Sequence, residues 1–307
     1  MTRKKIACVG LGQIGVNWAS LFLAHGHEVH ATDINPAVLS QALSGIEEEL
    51  AELARLGHDP GDWRARLHLS PDLAAAVRDA DFIQENGPEA FEEKQALILR
   101  IDAMAPAAAI ISSSTSGLGM SDLQAGCQHP GRCLVGHPFA PAHLIPLVEI
   151  VAGAQTRPET VAAAAAFYEA LGKTVIVLRR DVPGFICNRI QALVLQEALS
   201  LVQNGVATVE EVDAAVVNGL GLRWAIYGPF ALAAFSAGTR GLASALRSYH
   251  RYRDDILDTV ERVKVDDALI SRIEHQIANV EIFTQSGKAL VRRNAALVDL
   301  LLQKAPR

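Results

Sequence analysis

Two hydrophobic rhythms alternate along the first half of the chain. Ile6-Ala7-Cys8-Val9 reads as a buried parallel strand, and Glu28 to Thr32, Asp81-Phe82-Ile83-Gln84, Ala109 to Ser113, Cys133-Leu134-Val135 and Leu147 to Val151 as further strands, with Thr174 to Leu178 another β-branched run. Between them lie stretches with helical spacing, such as Ile14, Trp18, Leu21 and Phe22, then Phe91 to Met104 and the alanine-rich Pro158 to Leu171. This alternation predicts a doubly wound sheet with a ligand crevice at the carboxyl ends of its strands. After Asp181-Val182-Pro183-Gly184 the strand signals stop. Phe185 to Gln203 carries a long apolar periodicity that ends at Asn204-Gly205, a suitable helix terminator. Thr208-Val209-Glu210-Glu211 is a capping box opening another helix, and amphipathic segments punctuated by Gly219, Gly221 and Gly228-Pro229 run on to Leu302. We therefore expect an α/β fold in two parts, a doubly wound sheet over 1–183 and an all-helical domain over 184–307.

The first strand leads straight into Gly10-Leu11-Gly12-Gln13-Ile14-Gly15, and the helical spacing begins there. Glycines at such a strand-to-helix turn allow a tight turn, close backbone approach to a pyrophosphate and close packing of helix on strand. The helix N-terminus offers unpaired N–H groups to the phosphates. The second strand ends at Asp33, eighteen positions after Gly15. An acid there is placed to hydrogen-bond a ribose 2′-hydroxyl and to repel a 2′-phosphate. The following Ile34-Asn35-Pro36 holds no arginine, so the reading is a Rossmann-type NAD site rather than one for NADP.

Composition narrows the partners. At 307 residues, half hydrophobic and a fifth charged, the chain suits two globular domains. A net charge of −6 with no clustered basic face argues against nucleic acid. No run approaches the twenty apolar residues of a membrane span. The basic start Thr2-Arg3-Lys4-Lys5 enters a strand rather than the apolar stretch of a secretory leader, and the four cysteines form no CxxC pair. A cytoplasmic protein with reduced thiols is expected. His25, His27 and His30 straddle a helix end and the next strand, so their side chains are not expected to converge, and no metal site is expected. Glu47-Glu48-Glu49 reads as a solvated helix face.

Chemistry concentrates in the loop Gly136-His137-Pro138-Phe139 and the run Leu147-Val148-Glu149-Ile150-Val151. A carboxylate inside an apolar strand is costly to bury unless something pairs with it. A histidine held by a carboxylate is the usual base for taking the proton of an alcohol. Glu149 is therefore expected to orient and charge His137. Ser116 and Glu85 also lie just past strand ends, where ligands bind in such sheets.

With these residues in place, the chain resembles the 3-hydroxyacyl-CoA dehydrogenase family along nearly its whole length. The segments that carry the resemblance are Ser112-Ser113-Ser114-Thr115-Ser116, Gly136-His137-Pro138-Phe139, Pro146-Leu147-Val148-Glu149, Gly184-Phe185-Ile186-Cys187-Asn188-Arg189 and Gly219-Leu220-Gly221-Leu222-Arg223-Trp224. The resemblance points first to the lambda-crystallin and L-gulonate 3-dehydrogenase branch, with L-carnitine dehydrogenase a near neighbour. It implies an active site of Ser116, His137, Glu149 and Asn188, in which Ser116 and Asn188 hydrogen-bond the reacting oxygen. It also implies that Glu89 and Lys94 lie at the nicotinamide end of NAD, and that the helical domain forms a homodimer.

Two departures bear on substrate. Ala140 stands where the family's loop carries an asparagine, removing one amide near the reacting groups. The helix after the second strand reads Val38-Leu39-Ser40-Gln41-Ala42-Leu43-Ser44-Gly45 and runs into three glutamates, without the lysines with which acyl-CoA members meet the CoA phosphates. Arg223, in a glycine-punctuated loop, is the candidate clamp for a substrate carboxylate. The expectation is thus an NAD-dependent dehydrogenase of a small free polar 3-hydroxy acid, of the L-gulonate type. The alternatives are L-carnitine, for which Trp224 and Tyr227 would form part of an aromatic cage, and a short 3-hydroxyacyl-CoA. An alternative of another class is a non-catalytic, crystallin-like NAD-binding protein.

Overall fold

The computed structural model describes residues 2–304, with backbone alone for 249–252. The first half alternates as its pattern predicts: β1 (Lys5–Val9), α1 (Gln13–Ala24), β2 (Glu28–Thr32), α2 (Pro36–Arg55), β3 (Leu67–Ser70), α3 (Leu73–Val77), β4 (Phe82–Glu85), α4 (Phe91–Met104), β5 (Ile110–Ser113), α5 (Met120–Leu123), β6 (Cys133–Pro138), β7 (Leu147–Ala152), α6 (Pro158–Ala170) and β8 (Thr174–Val177). These strands form one sheet in the order β3-β2-β1-β4-β5-β6-β7-β8. The run from β3 to β6 is parallel, the order that places a crevice beside β1, where the chain's winding reverses. Apolar side chains cover both faces of the sheet. Trp18, Phe22 and Phe167 lie in one cluster, and Ile83, Ile98 and Ile111 in the other.

Two local results differ from the sequence pattern. β3 carries no strong apolar run: Leu67-His68-Leu69-Ser70 is an edge strand at most half-buried, so burial left little trace in its sequence. His137 lies on β6 rather than in a loop. The connection from β6 to β7 is too short for a crossover helix, so β7 turns back antiparallel, and its ladder extends β6 through Pro138.

The remainder is helical: α7 (Cys187–Gln203), α8 (Val209–Ala215), α9 (Leu222–Trp224), α10 (Pro229–Ser236), α11 (Gly241–Leu257), α12 (Asp267–Ile277), α13 (Glu281–Thr284) and α14 (Ser286–Lys304). The capping box at Thr208 and Glu211 is formed, and Gly205 takes the positive φ that ends α7. Gly219 and Gly221 do not open a loop. Residues Val216–Gly221 form a widened helical turn that runs directly into α9, so Arg223 sits on a helix. Glycine suits that turn, because a Cβ on Gly221 would lie 3.0 Å from the Val216 carbonyl oxygen.

The chain forms two compact units, Met1–Arg189 with Val291–Arg307, and Ile190–Leu290. Within the first, α14 is tied to α2 by Arg55 to Asp299 at 2.8 Å and by the Asn294 amide, which donates to Glu52 at 3.1 Å. Among the described residues no helix is long and apolar enough to cross a membrane.

Candidate active site

At two of its three positions the glycine turn has no room for a side chain. Gly10 has φ +88°, and a Cβ there would lie 2.7 Å from the Asn86 carbonyl oxygen. A Cβ on Gly15 would overlap the Gly10 carbonyl. Gly12, at the N-cap of α1, supplies no side-chain acceptor, so the first-turn N–H groups at Gln13 and Ile14 are left to an incoming anion. Asp33 braces the turn from the next strand: one carboxylate oxygen accepts the Leu11 N–H at 2.8 Å and the other the Asn35 N–H at 2.9 Å. A cavity of about 650 Å³ opens here, lined by Gly10, Gly12, Asp33, Ile34, Asn86 and Gly87. Ile34 is 89% exposed beside the acid, an apolar surface suited to the flat base of a nucleotide. Glycines, N–H groups left by the side-chain-free cap, the acid at the end of β2 and an apolar wall together fit NAD.

Next to this cavity lies a polar network that the sequence pattern does not reveal. Lys94 is only 1% exposed, although it stands in the first turn of α4 where a solvated side chain is the ordinary expectation. Its ammonium donates to both oxygens of the buried Glu85 at 3.0 and 3.2 Å and to the Gly87 carbonyl at 3.0 Å. Glu85 also accepts from the Gly87 N–H at 2.6 Å and from the Ser113 hydroxyl. A buried charge is tolerated when it is paired and hydrogen-bonded this fully. Glu89, 3.6 Å from Lys94, accepts from the Thr115 hydroxyl at 2.7 Å, the Ser116 N–H at 2.8 Å and the Ser116 hydroxyl at 3.2 Å. Partial burial raises the Glu89 carboxyl, but those hydrogen bonds and Lys94 outweigh it and hold it below the ordinary range.

His137 and Glu149 are cross-strand partners in the antiparallel β6–β7 ladder. The Nδ1–H of His137 donates to Glu149 Oε2 at 2.8 Å. The other carboxylate oxygen accepts the N–H groups of Ile186 and Cys187 at 2.9 and 3.2 Å. Complete burial works to raise the Glu149 carboxyl, and these three hydrogen bonds reverse it, so Glu149 is held ionised below its ordinary value. Phe185, at φ +52° and fully buried, packs its ring 5.3 Å from the imidazole, which turns the chain so that the two N–H groups face Glu149. With Nδ1–H committed to the carboxylate, the Nε2 lone pair is the ring's basic position.

Asn188 follows one residue beyond, and its amide donates to the Ser116 carbonyl at 3.1 Å. The four residues thus form two touching pairs, His137 with Glu149 and Ser116 with Asn188, joined by the start of α7. Arg223 is exposed and belongs to the second unit. His25, His27 and His30 diverge: His25 packs on His58 at 4.8 Å, His27 on Phe167 at 5.8 Å and His30 on His68 at 4.5 Å. Glu49 corrects the reading of a solvated acidic face. Glu47 and Glu48 are exposed, but Glu49 turns inward and accepts from the Asn17 amide at 2.5 Å, while the Oδ1 of Asn17 accepts the Ala142 N–H at 2.9 Å. Sequence reasoning also passed over Glu85 as the partner of Lys94, and Phe185. The only signal for Glu85 was its position past an apolar strand, and Phe185 stood out only as the start of an apolar periodicity and a member of the segment Gly184-Phe185-Ile186-Cys187-Asn188-Arg189.

A Rossmann-type crevice that selects NAD, followed at the sheet's carboxyl edge by a histidine–carboxylate pair, makes the molecule an NAD-dependent dehydrogenase acting on a hydroxyl group. The chain belongs to the 3-hydroxyacyl-CoA dehydrogenase family: the model of that family's NAD binding domain matches residues 5–182, and that of its C-terminal domain matches residues 184–281. It is 40% identical over 298 residues to the L-carnitine dehydrogenase of Streptomyces griseus, covering 97% of this chain and 89% of that protein. The L-carnitine dehydrogenase of Burkholderia mallei is 40% identical over 296 residues, with 96% and 92% of the two chains covered. Among solved structures, an NAD-dependent 5-formyl-3-hydroxy-2-methylpyridine 4-carboxylic acid 5-dehydrogenase superposes with a TM-score of 0.85 at 28% identity, over 99% of this chain and all of that one.

Proposed function

We propose that this enzyme oxidises the 3-hydroxyl of L-carnitine, a free 3-hydroxy acid, to the ketone. The observation that carries the reaction is the buried His137–Glu149 pair, with Nδ1 held by the carboxylate and Nε2 left to work as a base. The naming of relatives matched over nearly their whole length as L-carnitine dehydrogenases favours this substrate over L-gulonate, which the family resemblance put first and which neither of these relatives supports. The lysine-free α2 and the carboxylic acid substrate in the name of the structurally similar pyridine enzyme both favour a free acid over a CoA ester.

When bound, NAD supplies the two-electron acceptor for the hydride that leaves the carbinol carbon. His137 Nε2 takes the hydroxyl proton as the carbonyl forms, and Glu149, already ionised, stabilises the resulting imidazolium through Nδ1–H. Ser116 would turn its hydroxyl from Glu89 to the reacting oxygen, and Asn188, whose amide carries a second N–H beside the one given to the Ser116 carbonyl, would donate there too. Gly10, Leu11, Gly12, Gln13, Ile14 and Gly15 would hold the cofactor's phosphates, Asp33 would accept from the ribose hydroxyls, and Glu89 and Lys94 would lie at the nicotinamide end. Arg223 has the planar fork that suits a carboxylate and Trp224 and Tyr227 the rings that suit a trimethylammonium group; within their own unit the exposed Tyr227 ring meets Phe235 edge-on at 5.0 Å. By function the chain divides at residue 183, cofactor binding over 1–183 and substrate binding with self-association over 184–307. Exposed Leu193, Val206, Ile226 and Phe230 support a homodimer through the helical part.

The test is NADH formation from L-carnitine by the wild type and by His137→Gln. Turnover that falls by about 10²–10⁴-fold in the variant, with NADH binding retained, is expected. No NAD reduction with L-carnitine, or a fully active variant, would overturn the reading.

A further inference from the structure

Two imidazoles and one carboxylate converge at the edge of the sheet, away from the cofactor crevice. Glu28 and His30 are two residues apart on β2 and so share one face of the strand. His68 on β3 is the register partner of His30 in the parallel pairing. The three therefore form a compact triangle: His30 Nε2 lies 2.8 Å and His68 Nε2 3.5 Å from the same oxygen of Glu28, and the three ligand atoms all lie within 4.8 Å of one another. The two rings stack at 4.5 Å with an interplanar angle of 27°, which points both nitrogens to one side.

We propose that Glu28, His30 and His68 bind a divalent transition ion of the zinc class. Ligands about 2.1 Å from a tetrahedral zinc are about 3.4 Å from one another, so the donors need to move by only fractions of an ångström to over an ångström to enclose one. Two imidazoles with a carboxylate suit zinc or its neighbours and not magnesium or calcium, which take oxygen ligands. None of the three is buried, and His68 is exposed, so solvent reaches the fourth position. Lys5 stands opposite Glu28 in the β1–β2 register, and its ammonium opposes a cation there, which sets the affinity below that of a closed structural site.

The site's position defines its consequence. Glu28 opens β2, whereas Asp33 follows the strand's other end, so an ion here does not touch the cofactor cavity. It cross-links β2 to the short edge strand β3, and binding only the folded chain raises stability by mass action.

The experiment is calorimetric titration of the untagged, full-length protein with zinc chloride, alongside thermal unfolding with and without the ion. One zinc per chain with micromolar affinity and an upward shift in Tm are expected, with magnesium chloride giving neither. His68→Ala should bind zinc at least about tenfold more weakly and lose the Tm shift, with NADH binding unchanged as evidence that it folds. His30→Gln provides a second variant with the same expected loss. Absence of zinc binding to the wild type at about 100 μM, or equal binding by both variants, would overturn the proposal.

Discussion

Replacing Glu149 by glutamine isolates the contribution of the carboxylate behind His137, the proposed base, because size and burial stay the same. In the structure one carboxylate oxygen accepts two backbone N–H groups, from Ile186 and Cys187, and the other accepts His137 Nδ1–H. A glutamine has one oxygen to offer. If that oxygen stays with the backbone, its NH2 group faces Nδ1, which must then accept, and the ring proton moves to Nε2. If the amide turns round, its NH2 group confronts two N–H donors, each left unsatisfied at a cost of about 1–3 kcal/mol. The first arrangement is favoured, and it places a proton on the nitrogen that has to receive one. The same carboxylate-to-amide exchange behind the histidine of a serine protease triad lowers kcat by about 10⁴. Here we expect a fall in kcat of about 10²–10⁴-fold, or about 3–5.5 kcal/mol of barrier, with KM for NAD nearly unchanged. Steady-state NADH formation from L-carnitine measures the first, and fluorescence titration with NADH checks that the fold and cofactor site persist. A Glu149→Gln enzyme within about fivefold of wild-type kcat would refute the tautomer argument.

Other substitutions probe other levels of the structure. Asp33→Ala removes the acid proposed to take the ribose hydroxyls and its bond to the Leu11 N–H; NAD binding should weaken by about 10–100-fold and the NAD to NADP preference should shrink, whereas an unchanged ratio of kcat/KM values would free Asp33 of that role. Glu85→Gln takes from the buried Lys94 ammonium its nearer carboxylate and leaves it only the partly exposed Glu89 at 3.6 Å, so it should cost about 2–4 kcal/mol in urea unfolding, a loss below about 1 kcal/mol being the contrary result. Burial holds the Glu49 carboxyl up at about 8, with Glu52 and Glu48 adding to it against hydrogen bonds from Ser20 and Asn17. The folded chain therefore keeps a proton that the unfolded chain loses, so this group's stability is fully present below the ordinary value of 4.5 and is lost as pH rises towards 8. Glu49→Gln should lack that decline; unfolding free energies of variant and wild type that run parallel between those values would contradict it.

What the sequence made legible were features written in local spacing. The strand Lys5–Val9 and the helix Phe91–Met104 stand where the hydrophobic pattern puts them, because burial on two faces leaves a continuous apolar run in the strand and burial of one face leaves Ile98 and Ile101 at helical spacing. The His137–Glu149 pair was readable for a related reason, since a carboxylate in the run Leu147–Ala152 needs a partner and His137 was the nearest candidate. Features that depend on register between distant segments were not readable. The burial of Lys94 arises from Glu85 at the end of a different element, and α4 gives no hint of it. The strand β3 escaped notice because an edge strand need bury only one side, and with it went the approach of His68 to Glu28 and His30. Arg223 was misread as a loop residue because Gly219 and Gly221 look like breakers, although both keep the helix going.

The most direct measurement is a comparison of kcat/KM for L-carnitine, D-carnitine, L-gulonate and 3-hydroxybutyryl-CoA, each with saturating NAD and NADH formation as the readout. A free-acid 3-hydroxy dehydrogenase of the carnitine type should turn over L-carnitine at least about 10²-fold better than any of the other three. Turnover of the CoA ester alone, with L-carnitine inert, would contradict it.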